Sequence, residues 1–412
     1  MKHLFIIPSW YPHRPCFPFE GLYLREQAEA IGQVHPEMNV TLSLWDQGRG
    51  DWSLGHLRRS PGCVLLPLAA RPIENALAKN VIEQRKPVRT WNPKRFGGNR
   101  QGLLAANRRN LERATTRWGA PEILHAHVSY PAGWIAMTLS RERSIPYVIT
   151  EHMGPFPLPY YTMGDGSLNP LLREPLERAD ATIAVSPTTA AQVAAFGLPA
   201  PRFIPNLVDD SRYHAAPART DPRFTFLTMS ALNDEKGIGD LLEAIALLRR
   251  SVPPSDAARL RFRIVGKKED AARYEASAAR LGIADLIEWP GFLGRDEAPA
   301  EFQACDCYVM PSHHESFGIV LAEALACGRP LIATRSGGPE AIVNEGNGLL
   351  VPVQRPDELA RAMEVMLRRA RGFDPGALRA EFMARYSRPA VVGALDAVYA
   401  DVLARAATRP RR

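Results

Sequence analysis

Residues 313–340 read "HHESFGIVLAEALACGRPLIATRSGGPE". The stretch follows the short apolar run "CYVMPS" (307–312), carries a helical apolar pattern that stops at Gly328, and resumes as a β-like run at Pro330. Strand, helix and strand at this spacing predict a parallel sheet, whose strands need a crossover between them. Two carboxylates, Glu315 and Glu323, bracket the helix. With a helix beginning near Ser316, Glu315 precedes the cap and Glu323 lies two turns in. Their backbones are then about 12 Å apart and turned by about 80°. A hydrolytic carboxylate pair needs about 5–9.5 Å and a shared facing direction, so that reading is the poorer one. An extended ligand fits better, with a carboxylate at each end and an anion at the helix N-terminus. There Ser316, Phe317, Gly318 and Ile319 would offer backbone N–H groups and the helix dipole. Gly318 removes a side chain where a phosphate would approach. Hydroxyl, phosphate, hydroxyl is the layout of a nucleotide-sugar. A plain surface glutamate near a helix start remains the alternative.

Outward from this unit, β-like runs alternate with helical patterns along the chain. The first half has "HLFIIPSW", "NVTLSLWD", "CVLLPLA", "EILHAHV", "PYVITEH", "ATIAVS" and "RFIPNLV", with "GLYLREQAEAIGQV" and "NPLLREPLERA" as helices. The second half has "RFTFLTMSAL", "RFRIVG", "DLIEWPGF", "CYVMPS", "RPLIAT" and "GLLVPV", with helices such as "IGDLLEAIALLRRSV", "ARYEASAARLG" and "PDELARAMEVMLRRA". The pattern predicts an α/β protein of two Rossmann-like lobes, 1–207 and 224–387, whose parallel sheets face across a cleft. Residues 208–223, polar and without period, are the predicted linker. Residues 388–412 form a helical pattern and a basic tail that could pack on either lobe. Ligands of such sheets sit beyond the carboxyl ends of the strands.

The 412 residues are 46% hydrophobic and 23% charged, ordinary values for a chain that buries a large core. Five cysteines without framework spacing cannot all pair, which points to a reduced, cytoplasmic compartment. No run reaches membrane-spanning length. The net charge of +7 is uneven: from Arg85 to Arg117 there are ten Lys or Arg and one acid, Glu112. A solvated face explains this; so does attraction to an anionic membrane surface or a phosphorylated acceptor. No nucleic-acid module accompanies the charge.

Glu315-x7-Glu323, followed by "ALACGRPLIATRSGGPEAIV" and "NGLLVP", resembles the retaining nucleotide-sugar glycosyltransferases of family 4, which have the GT-B fold. The resemblance covers nearly the whole chain: "PSWYPHRPCFPFEGLYLREQAEA", "HAHVSYPAGWIA", "VITEH", "VSPTT", "IPNLVD", "NDEKGIGDLLEAI" and "CDCYVMPSHHESFG" follow in the family's order. It implies that Glu323 accepts from the ribose hydroxyls and that Glu315 contacts the transferred sugar near its reacting carbon. It also implies that the amides around Phe317 and Gly318 hold sugar hydroxyls or diphosphate, and that Lys236 neutralises the leaving diphosphate. His152 would face the donor sugar from the N-terminal lobe. Gly21 would let the first loop approach phosphates or acceptor, Gly266 would close a strand near the nucleotide, and backbone groups around Phe292 would meet the base. The implied reaction is hexosyl transfer to a saccharide or lipid-linked saccharide, with no metal or other cofactor; it is the basic 85–117 segment that motivates a peripheral place at the inner membrane face.

One departure stands out. The family usually carries an arginine five residues before the lysine, where this chain has Ala231 in "SALNDEKG". Lys236 then acts with helix dipoles alone, or Lys267 or Lys268 substitutes. A catalytically silent nucleotide-sugar-binding subunit is the reading that Ala231 favours. Cys305, Cys307, His313 and His314 lie close in sequence, but their spacing matches no common zinc site, and core cysteines are expected. His125 and His127 alternate along a strand end and suit core or acceptor roles. Trp91, Trp134 and Trp289 suit the core, whereas Trp10, beside the first loop, could stack on a sugar.

Overall fold

The computed structural model describes residues 1–9, 21–45, 73–88, 99–217 and 219–408, without the side chains of 268–270. Trp10, Trp91, the run "CVLLPLA", the 89–98 part of the basic segment, the Lys268 side chain and the tail 409–412 lie outside the described residues. The chain divides into two compact units. One comprises Met1–Val185, Thr189–Leu207 and Val391–Arg412; the other comprises Ser186–Thr188 and Val208–Ala390.

The first unit is built on strands β1 (His3–Pro8), β2 (Asn39–Leu44), β3 (Ile73–Ala78), β4 (Val81–Arg85), β5 (Ile123–His127), β6 (Tyr147–Glu151), β7 (Ala181–Ala184) and β8 (Arg202–Phe203). They form one sheet in the order β3-β4-β2-β1-β5-β6-β7-β8. All pairs are parallel except β3 with β4, an antiparallel hairpin on the sheet edge. The wholly parallel sheet expected from the alternation therefore carries an antiparallel edge. The hairpin "IENALAKNVIEQR" gave no strand signal because four of the six β3 residues are exposed and β4 mixes charge with Val81 and Ile82. Central strands such as β1 and β5 are buried at every position, as strands covered on both faces must be.

Helix α1 (Leu22–Val34) covers one face, and α2 (Arg100–Trp118) and α3 (Trp134–Arg143) follow in the chain. Helix α2 escapes a hydropathy reading because of its arginines, yet Leu103, Leu104, Ala106, Asn107, Asn110, Leu111 and Ala114 form its buried stripe. Its start is capped by Asn99 Oδ1, which accepts from Gly102 N–H at 3.0 Å.

The second unit has β9 (Phe224–Met229), β10 (Leu260–Val265), β11 (Ile287–Gly291), β12 (Cys307–Met310), β13 (Leu331–Thr334) and β14 (Gly348–Val351). Their order, β11-β10-β9-β12-β13-β14, is a parallel doubly wound sheet that reverses direction between β9 and β12. The rings of Phe226 and Phe262 stack 5.2 Å apart across β9 and β10, fully buried. Each such side chain contributes roughly 1.5–3 kcal/mol of burial. The expected linker is packed rather than loose. Tyr213 is fully buried, and the Arg379 guanidinium donates to its carbonyl and to that of Asp210.

The last helix (Arg388–Thr408) returns to the first unit. Val391, Val392, Leu395, Val398, Tyr399 and Val402 join the core that holds Leu4, Ile6, Leu42 and Ile183. Cys305 and Cys307 are core thiols in the second unit; burial pushes Cys305 up to about 12.

Candidate functional site

In the second unit the chain leaves β9 at Ser230 and Ala231 and leaves β12 at Pro311 and Ser312, on either side of the point where the sheet order reverses. A cavity of about 150 Å³ opens there, walled by both exits, by Lys236 and Glu315, and by Gly318–Val320. Lys236 Nζ donates to Glu315 Oε1 at 2.7 Å, and Ser312 Oγ donates to the same oxygen at 2.9 Å. Both charged side chains are partly open to solvent, at 24% and 16% exposure, so the pair can exchange for a ligand.

The loops that carry the pair are stitched in place. Asn233 Oδ1 accepts from Lys236 N–H at 2.9 Å, and His313 N–H donates to Glu235 carbonyl at 2.8 Å. Gly237, at φ 66°, ends the loop against Pro311, whose carbonyl oxygen would lie 1.9 Å from an added Cβ. Glu315 N–H donates to Ser336 carbonyl, and its own carbonyl accepts from Gly338 N–H.

The helix after Glu315 starts later than its sequence suggests. It spans Ile319–Ala326, with Gly318 as a left-handed cap at φ 85°, so Glu323 is its fifth residue rather than two turns in. Gly318, Ile319 and Val320 border the cavity, whereas Ser316 and Phe317 do not. Phe317 is buried against Tyr386. Its backbone is crossed so closely by Gly338 that a Cβ there would lie 2.4 Å from Phe317 Cα.

Glu323 is 4% exposed and already held: Tyr213 Oη donates to its Oε1 at 2.8 Å and Arg295 Nη1 at 3.0 Å. Burial raises its carboxyl above the usual range, and Arg295 and Tyr213 oppose that rise. Gly266 has no room for a side chain, since a Cβ would meet Ser230 carbonyl at 2.7 Å. It thereby lets β10 end close against the Ser230 loop. Phe292, just after β11, is half exposed.

The residues from the first unit form a separate group. His152 follows β6, and its Nε2 is hydrogen-bonded to His127 Nδ1 at 2.9 Å. Glu151 fixes that turn: its carboxylate accepts from the N–H groups of His152, Met153 and Ser129 and from Ser129 Oγ. Burial holds His152 neutral, lowering it to about 3. Its Nδ1 is buried with no partner among the described residues. Gly21 caps α1 in the left-handed region at φ 71°. Lys267 is exposed and does not border the cavity, so Lys236 is the one cation among the described residues that line it. Among the described residues no three His, Cys, Asp or Glu side chains converge as a metal site.

Comparison with known proteins fits this geometry. The profile for "Glycosyl transferases group 1" matches residues 209–375, and that for "Glycosyltransferase Family 4" matches residues 66–212. A GDP-mannose-dependent alpha-(1-6)-phosphatidylinositol monomannoside mannosyltransferase of Mycobacterium tuberculosis is 32% identical over 386 residues, covering 89% of this chain and 88% of that one. The chain belongs to glycosyltransferase family 4. A D-inositol 3-phosphate glycosyltransferase of Stackebrandtia nassauensis is 36% identical over 182 residues, a match that spans 42% of this chain and only 40% of that relative. The fold agrees with that of a sucrose-phosphate synthase from Thermosynechococcus elongatus, with a TM-score of 0.72 at 19% identity over 98% of this chain and 100% of that one. Within this GT-B, family-4 framework the structure adds residues that sequence reasoning missed. Ser312 bonds Glu315, and Arg295 and Tyr213 bond Glu323. Tyr213 sits in a polar stretch without period and carries no signal in one sequence. Arg295, in "GFLGRDE", reads as one more surface charge.

Proposed function

We propose that the chain transfers a hexosyl unit, with retention and without a metal, from a nucleotide-diphosphate sugar to a saccharide or lipid-linked saccharide. The observation that carries this is the Lys236–Glu315 pair at the edge of a cavity where the sheet order reverses. The ammonium would leave Glu315 for the diphosphate oxygens, and the freed carboxylate would take a sugar hydroxyl. Glu323 would take the ribose hydroxyls, with Arg295 giving up or sharing its oxygen. His152 would contact the sugar.

The bond from C1 to the diphosphate oxygen breaks as the acceptor oxygen attacks the same face. The acceptor proton passes to the departing phosphate oxygen. Fixed positive potential at that oxygen is the main lever on the rate. The acceptor class draws on the Mycobacterium relative, whose name gives a lipid-linked mannoside as its substrate. It draws also on a groove of about 510 Å³ in the first unit, bordered by Lys86, Arg109, Arg113 and Arg117 against two acids, Glu112 and Glu74, the latter paired with Arg113 and Arg117. That groove would meet anionic headgroups and hold the protein peripherally at a cytoplasmic membrane face.

Ala231 on the cavity wall supports a second reading, a subunit that binds the donor but does not turn it over. A panel of nucleotide-sugars assayed for release of nucleoside diphosphate separates the two. Slow release with acceptor-dependent acceleration supports the transferase; stabilisation by a donor without any release supports the silent subunit. The membrane contact fails if anionic vesicles at low salt leave the protein unbound.

A further inference from the structure

Three imidazoles line up along neighbouring strands toward their carboxyl ends in the first unit. His125 and His127 come from β5, and His152 directly follows β6. The His125 and His127 rings are 4.3 Å apart at 29°, and the His127 and His152 rings are 5.2 Å apart at 28°. Dehydration lowers all three below the usual histidine range, and the neighbouring imidazoles lower His127 further in the same direction, so the stack is neutral.

The outer members differ in one respect. Both nitrogens of His125 are partnered, Nδ1 with Tyr399 Oη at 2.7 Å and Nε2 with Thr150 Oγ1 at 2.8 Å. That is a satisfied core histidine. Among the described residues His152 is hydrogen-bonded only through Nε2, to His127, while its Nδ1 is buried and unpartnered. Buried polar atoms of this kind are rare and mark a place for another group. The backbone beside them is also costly: Val128, next to His127, has φ 77°, a conformation that β-branched residues avoid.

A neutral imidazole carries one proton, on one nitrogen or the other. A single proton therefore lies between His127 Nδ1 and His152 Nε2, and its owner decides whether His152 Nδ1 donates or accepts. We infer that His127 is a positioning residue that holds His152 in one tautomer and one ring orientation, presenting Nδ1 to a hydroxyl of the bound sugar. The inference rests on the reading of His152 as a donor-sugar contact. The Tyr23 ring also packs on His152, with centroids 4.8 Å apart at 47°.

The test combines ¹⁵N imidazole spectra of the free protein with steady-state kinetics, using UDP-glucose or GDP-mannose, whichever is turned over. Parent, His127→Leu, His127→Asn and, as a control on the satisfied histidine, Tyr399→Phe are compared. The parent should show one His152 tautomer. His127→Leu should mix tautomers and lower kcat about tenfold or more, with a smaller change in KM. His127→Asn, which keeps a polar atom near the Nδ1 position, should restore most of both, and Tyr399→Phe should change neither. Should His127→Leu fail to fold, the Asn variant beside His127→Ser carries the same comparison, since Ser is too short to reach. An unchanged His152 tautomer in the Leu or Ser variant, or equal kinetic loss in the Asn variant, overturns the inference. Mixed tautomers with parental kinetics would uphold the positioning and instead sink the donor-contact role of His152.

Discussion

The two clusters stand on neighbouring strands or the loops that leave them, each in its own sheet, and hold opposite electrostatics. In the second unit a charged pair, Lys236 and Glu315, stands at the rim of a cavity, partly hydrated and ready to change partners. In the first, three neutral imidazoles are stacked out of water, and among the described residues His152 Nδ1 is fully buried without a partner. A charge that must meet a developing anion is best kept near solvent until the ligand displaces it, because a buried ion without a partner is costly. A group that only recognises a hydroxyl can be dry and fixed in advance, since its task needs direction rather than charge.

The largest effect that would break this contrast is on the charged side. Lys236→Met should lower kcat by about 10²–10³, the range for loss of one group that stabilises developing charge. Thermal stability should change little, since a partly hydrated ion pair on a cavity rim contributes only about 1 kcal/mol. Steady-state rates and melting curves on one preparation check both halves. Glu323→Gln should weaken donor binding by roughly 1–3 kcal/mol and lower the melting temperature as well, because Arg295 loses its charged partner. Calorimetric titration with the active donor reads the first effect. Donor affinity equal to the parent's would remove Glu323 from the ribose site.

The neutral side makes a prediction about pH. His125 and His152 fall to about 3 in the folded protein, against about 6.5 when unfolded, and His127 is also lowered. Between those values the unfolded chain binds protons that the folded one refuses. Stability is therefore intact above pH 6.5 and falls as the pH drops toward 3, by up to about 1.4 kcal/mol per pH unit for each histidine. Glu151 and Glu323, raised by burial, act with the opposite sign just above pH 4.5. Denaturant midpoints from pH 7.5 to 5 should decline, and replacing His125 by Asn should flatten the decline. The smallest expected effect is a gain. Ala231→Arg places a second cation on the cavity wall and should tighten donor binding about threefold to tenfold, about 0.7–1.4 kcal/mol; no change would place the diphosphate elsewhere.

Much of the fold was legible because parallel strands buried on both faces write themselves as apolar runs, β9 to β14 above all. The hairpin β3–β4 and helix α2 were not, since an exposed edge and an arginine-rich face hide their apolar halves. The proposed site was legible where chemistry and spacing coincide, in Lys236 and Glu315, which meet at one cavity that Glu323 does not border. It was not where partners come from unpatterned segments, as with Tyr213 on Glu323, or where the helix start depends on a left-handed glycine. Gly318 moves that start by three residues and changes which amides meet the cavity.

A crystal structure with a nucleoside diphosphate bound tests the central claim most directly. The account predicts diphosphate oxygens within hydrogen-bond distance of Lys236 Nζ, Glu315 released from that ammonium, and ribose hydroxyls on Glu323. A diphosphate seated away from the Ser230–Ala231 and Ser312 loops, with the Lys236–Glu315 pair intact, would contradict it.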